Sequence, residues 1–294
     1  MAEAAVPPVP TLPPGACDCH VHVVGPQSAY PMAQARQYTP PQASVADLRA
    51  HLARLGLTRA VVVQPSVYGC DNRCLLDSLA ALGGAARGVA VLDETVDDAE
   101  IDRLDAAGVR GVRINVESAG LHDPQALSAR LGRWSRRLAC KGWHLQIYAG
   151  FEVVAAMAPL LHRSAVPLVL DHFAMVPAGM APDDPRLRAV LALLRDGPVH
   201  VKLSAPYRIA GESAQDRAAV SALARLLIGA RPERLLWGSD WPHTHREAGK
   251  AAHETSRYRR VDAAGMAADV QQWLPGEALK RQVLVDNPAR LYGF

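Results

Sequence analysis

From Cys17 onward the chain alternates short, continuous apolar runs with longer stretches whose apolar residues recur at helical spacing. Eight runs stand out, at residues 17–23, 60–64, 88–92, 111–116, 144–148, 167–172, 199–204 and 235–240. Strands buried on both faces read as unbroken Val, Ile and Leu, whereas half-exposed antiparallel strands alternate, so the pattern predicts a parallel sheet. The segments between the runs carry helix punctuation. Ser44 opens a stretch that closes at Gly56, and Asp123-Pro124 and Asp184-Pro185 each place a capping residue before a first-turn proline.

Spread over residues 17–294, eight units take about 35 residues each, the size of one unit of a (β/α)8 barrel. The expected fold is therefore α/β, a single TIM barrel over 17–294 preceded by a flexible, Pro- and Ala-rich tail at 1–16. Two loops break the rhythm, 24–41 and 241–266. Both follow the C-terminal ends of predicted strands, the end at which barrel enzymes assemble their active sites.

Composition narrows the function classes. The 32 Lys and Arg against 29 Asp and Glu leave a formal charge of only +3. The basic residues are scattered, so no field is set up to hold a nucleic acid. No apolar run is long enough to span a membrane, and the N-terminus lacks the basic and apolar regions of a secretory signal, so a cytoplasmic location is expected. Five cysteines, Cys17, Cys19, Cys70, Cys74 and Cys140, are too few and odd in number for a disulfide framework and are expected as thiols. Assembly into a homo-oligomer stays open.

The chemistry concentrates at strand ends. In Asp18-Cys19-His20-Val21-His22 the two histidines sit at i and i+2 of the first strand and share a face. Asp171-His172 closes the sixth run, and Gly238-Ser239-Asp240 closes the eighth. His20, His22, His172 and Asp240 are thus predicted to converge, a set that suits one divalent cation or general acid–base catalysis. The His20–His22 pair alone is as often a hydrogen-bonded core pair as a site, and His172 or Asp240 alone would more often make a strand-capping hydrogen bond; four inward groups at matching ends are costly to bury without a task. His243 and His245 form a second His-x-His pair in a Pro-containing loop, His243 being the stronger candidate. Ser66, Arg113, Asn115, Tyr148 and Arg208 fall where they would line the mouth, and the forks of Arg113 and Arg208 would suit a carboxylate. Lys202 lies within strand seven, but no lysine ends strand four or five, which argues against a two-metal site bridged by a modified lysine.

These motifs, with Trp237 to His243 and Asp286-Asn287-Pro288-Ala289-Arg290-Leu291-Tyr292, resemble the amidohydrolase superfamily. More narrowly, the chain resembles its lactonase branch, which includes hydrolases of pyrone dicarboxylate, sulfomuconolactone and sugar lactones. Val24-Gly25-Pro26, Gln64-Pro65 and the stretches 69–72 and 108–113 extend the likeness. The resemblance implies opening of a small, carboxylate-bearing lactone from aromatic or sugar-acid breakdown. Asp240 would act as general base, and His20, His22 and His172 would polarise the carbonyl. It implies either no cofactor or one weakly held divalent cation, such as zinc, on His20, His22, His172 and Asp240. Arg113, Tyr148 and Arg208 would hold the substrate. A decarboxylase of the same superfamily shares the pattern, and a barrel that only binds its ligand is the reading outside catalysis. Two departures matter. The pyrone-dicarboxylate branch carries an arginine after the strand-six histidine, where this chain reads Phe173-Ala174-Met175, and basic residues after strand four, where it reads Glu117-Ser118-Ala119-Gly120. Fewer anionic groups on the substrate are expected, or a clamp from the last loop through Arg246, Arg257, Arg259 or Arg260.

Overall fold

The computed structural model describes residues 12–116 and 124–294. Among them, eight parallel strands follow one another in sequence order around a single sheet. They are β1 (Cys17–Val21), β2 (Arg59–Val63), β3 (Ala86–Ala90), β4 (Val109–Asn115), β5 (His144–Tyr148), β6 (Leu168–Leu170), β7 (Val199–Ser204) and β8 (Leu235–Gly238). The sheet meets itself where the chain leaves β1 and β8: Asp240 N donates to His20 O at 2.9 Å, and His22 N donates to Trp241 O at 2.8 Å. Gly238 permits this approach, since a Cβ there would lie 2.7 Å from that of His20. The fold is the expected (β/α)8 barrel.

Valines and leucines on successive strands fill two shells. Cys17, Cys19, Val61, Val63, Val89, Val169 and Leu236 form the inner cluster, which Tyr292 of the last helix joins. Helices cover the outside with residues such as Leu48, Leu104, Trp134, Leu194 and Leu227. The helix Val45–Leu55 starts and ends as its sequence predicts. Ser44 Oγ accepts from Asp47 N, Asp47 Oδ2 accepts from Ser44 N, and Gly56 closes the helix at φ 69°. Asp184 caps the helix Pro185–Asp196, its Oδ1 accepting from Arg186 N at 2.8 Å. Asp123 and the Glu117–Gly120 stretch lie outside the described residues. Of the tail, residues 12–16 pack on the barrel, with Leu12 and Ala16 buried and Leu12 N donating to Leu55 O.

The two long loops act as one rim. Residues 39 and 255 pair as a parallel bridge, Ser256 N donates to Thr39 O at 2.8 Å, and Tyr258 Oη donates to Pro41 O. The last loop ends earlier than its sequence suggests, because Asp262 caps a helix at Ala263–Trp273. Asn287 of the C-terminal motif donates to Pro232 O and Leu235 O at 2.8 Å each, tying the terminal helix beneath β8. No described helix is long and apolar enough to cross a membrane.

Candidate active site

The strand ends that carry the predicted residues depart from regular backbone. In β1 the pairing register with β2 shifts between Asp18 and Val21. Cys17 and Cys19 therefore pack in the inner cluster while His20 and His22, beyond the irregularity, aim into the catalytic end. Asp18 serves the seam. Its Oδ1 accepts from Ser239 N at 2.9 Å and His20 N at 3.1 Å, and its Oδ2 faces His51 Nε2 at 3.4 Å. After β6, His172, Phe173, Ala174 and Met175 all hold φ between 50° and 56°. A left-handed turn of four non-glycine residues costs about 1–2 kcal/mol per residue. Asp240 (φ 63°) and His243 (φ 68°) share that strained region after β8.

The four predicted groups converge. The Nε2 atoms of His20 and His22 each lie 3.6 Å from Asp240 Oδ1, and that of His172 lies 3.9 Å away. His20 and His22 approach through Nε2 at 3.3 Å. Asp240 Oδ1 is buried and accepts no hydrogen bond among the described residues, whereas Oδ2 accepts from Tyr207 Oη at 2.8 Å and from Arg208 Nη2 at 2.7 Å. Burial alone would raise the Asp240 carboxyl. Arg208, then His172 and His22, overcome it and hold the group well below the ordinary range, so it is ionised. Burial, then Lys202, pushes His20 down to about 3, and burial likewise depresses His172. The site is an anionic carboxylate beside two imidazoles, His20 and His172, that burial keeps uncharged.

Second partners fix each ring. His22 Nδ1 lies 2.7 Å from Val63 O, His172 Nδ1 lies 2.9 Å from Ser204 Oγ, and His20 Nδ1 lies 3.1 Å from Lys202 Nζ. Lys202, wholly buried, also donates to Gln146 Oε1 at 2.8 Å and lies 3.3 Å from Asp171 Oδ1. Asp171 would be raised by burial, but Lys202 and His20 hold it well below the ordinary range.

The cavity above the cluster has a volume of about 270 Å³ and is lined by His22, Ser66, Arg113, Asn115, Tyr148, His172, Arg208 and Asp240, as predicted, and by Tyr38, His245 and Arg246. His243 is displaced from this wall. It sits behind, against Tyr207 and His51, where burial lowers it to about 4, and it is His245 that faces the cavity. Arg208 is engaged with Asp240 and lies over the rings of Tyr148 and Tyr207. Arg113 is buried, reaches Asp171 Oδ2 at 3.4 Å, and leaves its Nε without a partner among the described residues. Of the four clamp candidates in the last loop, Arg246 alone lines this cavity. Arg259 lies over the Tyr207 ring, and Arg260 borders a second cavity of about 360 Å³ with Trp237, Met266 and Trp273. That second cavity touches none of the histidine cluster.

Sequence reasoning missed Tyr207, Lys202 and Gln146 as parts of the site. Tyr207 directly precedes Arg208 after β7, and its role depends on the short turn at Pro206–Arg208 that brings both to Asp240. Gln146 and Lys202 could be found by the same alternation that found Arg113, since each lies two residues before a predicted site residue or strand end.

The donor set fits a divalent cation. Tetrahedral ligands at about 2.0–2.1 Å from zinc lie about 3.3 Å apart, and His20, His22 and Asp240 present ligand atoms close to that spacing around an oxygen with no partner. His20, Asp171 and His172 form a second such group.

The pattern of the amidohydrolase family matches residues 17–294. The chain is 35% identical over 294 residues to a 2-pyrone-4,6-dicarboxylate hydrolase of Comamonas testosteroni, covering 96% of this chain and 91% of that protein. It is 32% identical over 285 residues to a 4-sulfomuconolactone hydrolase of Rhizobium radiobacter, with coverage of 96% and 91%. A crystal structure of a 2-pyrone-4,6-dicarboxylic acid hydrolase from Pseudomonas putida superposes with a TM-score of 0.81 at 30% identity, covering 95% and 97% of the two chains.

Proposed function

The chain belongs to the amidohydrolase family, and from that premise we propose that it opens a small, carboxylate-bearing lactone, with Asp240 activating the water. One observation carries the reading. Three imidazoles surround the unpartnered, buried Oδ1 of an ionised carboxylate, in a cavity that also holds Arg113 and Arg246. The hydrolase names of the relatives at 35% and 32% identity support it.

Asp240 Oδ1 takes a proton from water as the water oxygen bonds to the lactone carbonyl carbon. His20, His22 and His172 stabilise the oxyanion, the contribution that preorganised donors make best in a water-poor site. Collapse breaks the ring C–O bond, and the proton passes from Asp240 to the departing oxygen. The products are a carboxylic acid and a hydroxyl on one chain. Arg208 and Tyr207, both on Oδ2, fix the carboxylate so that Oδ1 faces the cluster. Arg113, whose Nε has no partner among the described residues, and Arg246 both line the cavity and would receive the substrate carboxylate, which fits a substrate of fewer charges than a pyrone dicarboxylate. Ser66, Asn115, Tyr148 and His245 complete the walls. A divalent cation on His20, His22, His172 and Asp240 would polarise the carbonyl as a Lewis acid and acidify water.

The test is proton release by the purified protein against pyrone dicarboxylate, muconolactones and sugar-acid lactones, with Asp240→Asn as control. Acid release abolished by that substitution is expected. Silence across the panel, with carbon dioxide evolved from aromatic acids instead, would replace the reading with decarboxylation.

A further inference from the structure

The second cavity, of about 360 Å³, opens between the helices Ala214–Ala230 and Ala263–Trp273 and reaches inward to the ends of β7 and β8. Helical spacing builds its walls. Arg217 and Val220 stand three apart on the first helix, and Met266, Asp269 and Trp273 lie three and four apart on the second, so each set shares one face. The floor is apolar: Val220, Trp237 and Trp273 are buried, and Met266 and the Tyr207 ring complete it. Its volume falls at the small end of the range of about 300–1,000 Å³ found for ligand pockets. Across this floor two opposite charges face each other without meeting. Arg217, exposed on the first helix, donates to Glu212 O, and Asp269 stands half-buried on the second. Neither forms an ion pair among the described residues, although burial raises the Asp269 carboxyl and Arg217 lowers it in part. The two are near enough to feel each other and too far apart to pair. Glu212 and Arg260 add one charge of each sign at the exposed mouth, and Asp262 there is occupied by Gly265 N.

We propose that this cavity is a binding site for a small zwitterion with an apolar side chain, an α-amino acid of the phenylalanine or leucine kind, held by Arg217 and Asp269 at its charged end and by Trp237, Met266 and Trp273 at its apolar end. A half-buried carboxylate without a donor is costly, and a ligand that supplies the donor recovers that cost. A ligand with one charge answers one side of the gap and leaves the other unmatched. A zwitterion answers both: its carboxylate takes the Arg217 fork, and its ammonium donates to Asp269. The two indoles and the thioether then cover the side chain, the large apolar surfaces that small-molecule sites use. Binding here does not depend on which substrate the catalytic site opens, because none of the clustered histidines lines this cavity.

Isothermal titration calorimetry of the full chain tests it. The probes are L-phenylalanine and L-leucine, with 3-phenylpropionate, which lacks the ammonium, and phenethylamine, which lacks the carboxylate. Phenylalanine is expected to bind at one site per chain, about tenfold or more tighter than either single-charge probe, the worth of one charge-assisted hydrogen bond. Asp269→Asn should weaken phenylalanine by about tenfold and leave phenylpropionate unchanged, while Arg217→Gln should weaken phenylalanine likewise and leave phenethylamine unchanged. Met266→Trp, which fills the cavity, should abolish binding. Arg113→Ala, which removes a carboxylate anchor of the catalytic site, should not alter it. No saturable heat with either amino acid overturns the proposal, as does a single-charge probe that binds as tightly as phenylalanine. Binding lost in Arg113→Ala, or kept in both Asp269→Asn and Arg217→Gln, would place the ligand elsewhere and overturn it even if Met266→Trp fails to fold.

Discussion

Two groups of buried histidines share one barrel and do different things. At the catalytic end, His20 and His172 are held neutral by burial, His20 down to about 3. At the opposite end, His144 and His200 at the starts of β5 and β7 are lowered to about 3 by the same cause. A depressed histidine therefore does not mark a site. His144 packs edge-on to Tyr292 and across Gly111, where any Cβ would fall 2.3–2.7 Å from the ring. His20 meets another imidazole, an ionised aspartate and a lysine within 3.6 Å. Convergence on a carboxylate, on backbone held at positive φ, separates chemistry from packing.

The comparison is sharpest under substitution. Asp240→Asn should lower kcat for lactone opening by about 10³-fold, within the span lost with a general base, while His144→Phe should leave kcat near that of the wild type and change only thermal stability. Steady-state kinetics with thermal melts on both would break the contrast if they moved together. Arg113→Ala comes next, expected to raise KM for an acidic lactone by about 30-fold, as for loss of a charge-assisted bond, and to change a neutral lactone far less. Equal effects on both substrates would remove the carboxylate clamp. Tyr207→Phe removes one of the donors on Asp240 Oδ2 and should reduce kcat by about tenfold with KM little changed.

The smallest effect is in pH. His20, His144 and His200 stay neutral in the folded protein down to about pH 3, while the unfolded chain protonates its histidines near 6.5. The unfolded state thus binds more protons across that window, so stability falls as pH drops below 6.5, by up to about 1.4 kcal/mol per pH unit for each such histidine. Denaturant titrations between pH 7 and 5 should show that slope reduced by one proton in His144→Phe. An identical slope would mean that His144 is not held neutral.

Most of the barrel was legible because buried parallel strands leave an unbroken apolar signature, and His20, His22, His172 and Asp240 were legible because strand ends can be counted. What was hidden depends on conformations with no such signature. The shift in β1 that lets Cys19 and His20 both point inward, and the left-handed turn at His172–Met175, cannot be read from residues that rarely adopt either. The placing of the second His-x-His pair was hidden likewise: His243 holds a positive φ, and it is His245 that lines the cavity. Lys202 was visible but read only against a two-metal site, since its partners Gln146, Asp171 and His20 come from three other strands.

The seam between β1 and β8 has a consequence for how the protein comes into being. Asp240 N bonds to His20 O across 220 positions of sequence, and the same junction holds the base against its histidines. Contacts of such separation form late, after the loop between them has been closed. A chain emerging from the ribosome carries its first strand long before its eighth, and throughout that time the histidines lack Asp240. Activity in this barrel therefore reports closure itself: a refolding chain should regain helix and strand signals before it regains turnover, and turnover should return in step with burial of the seam.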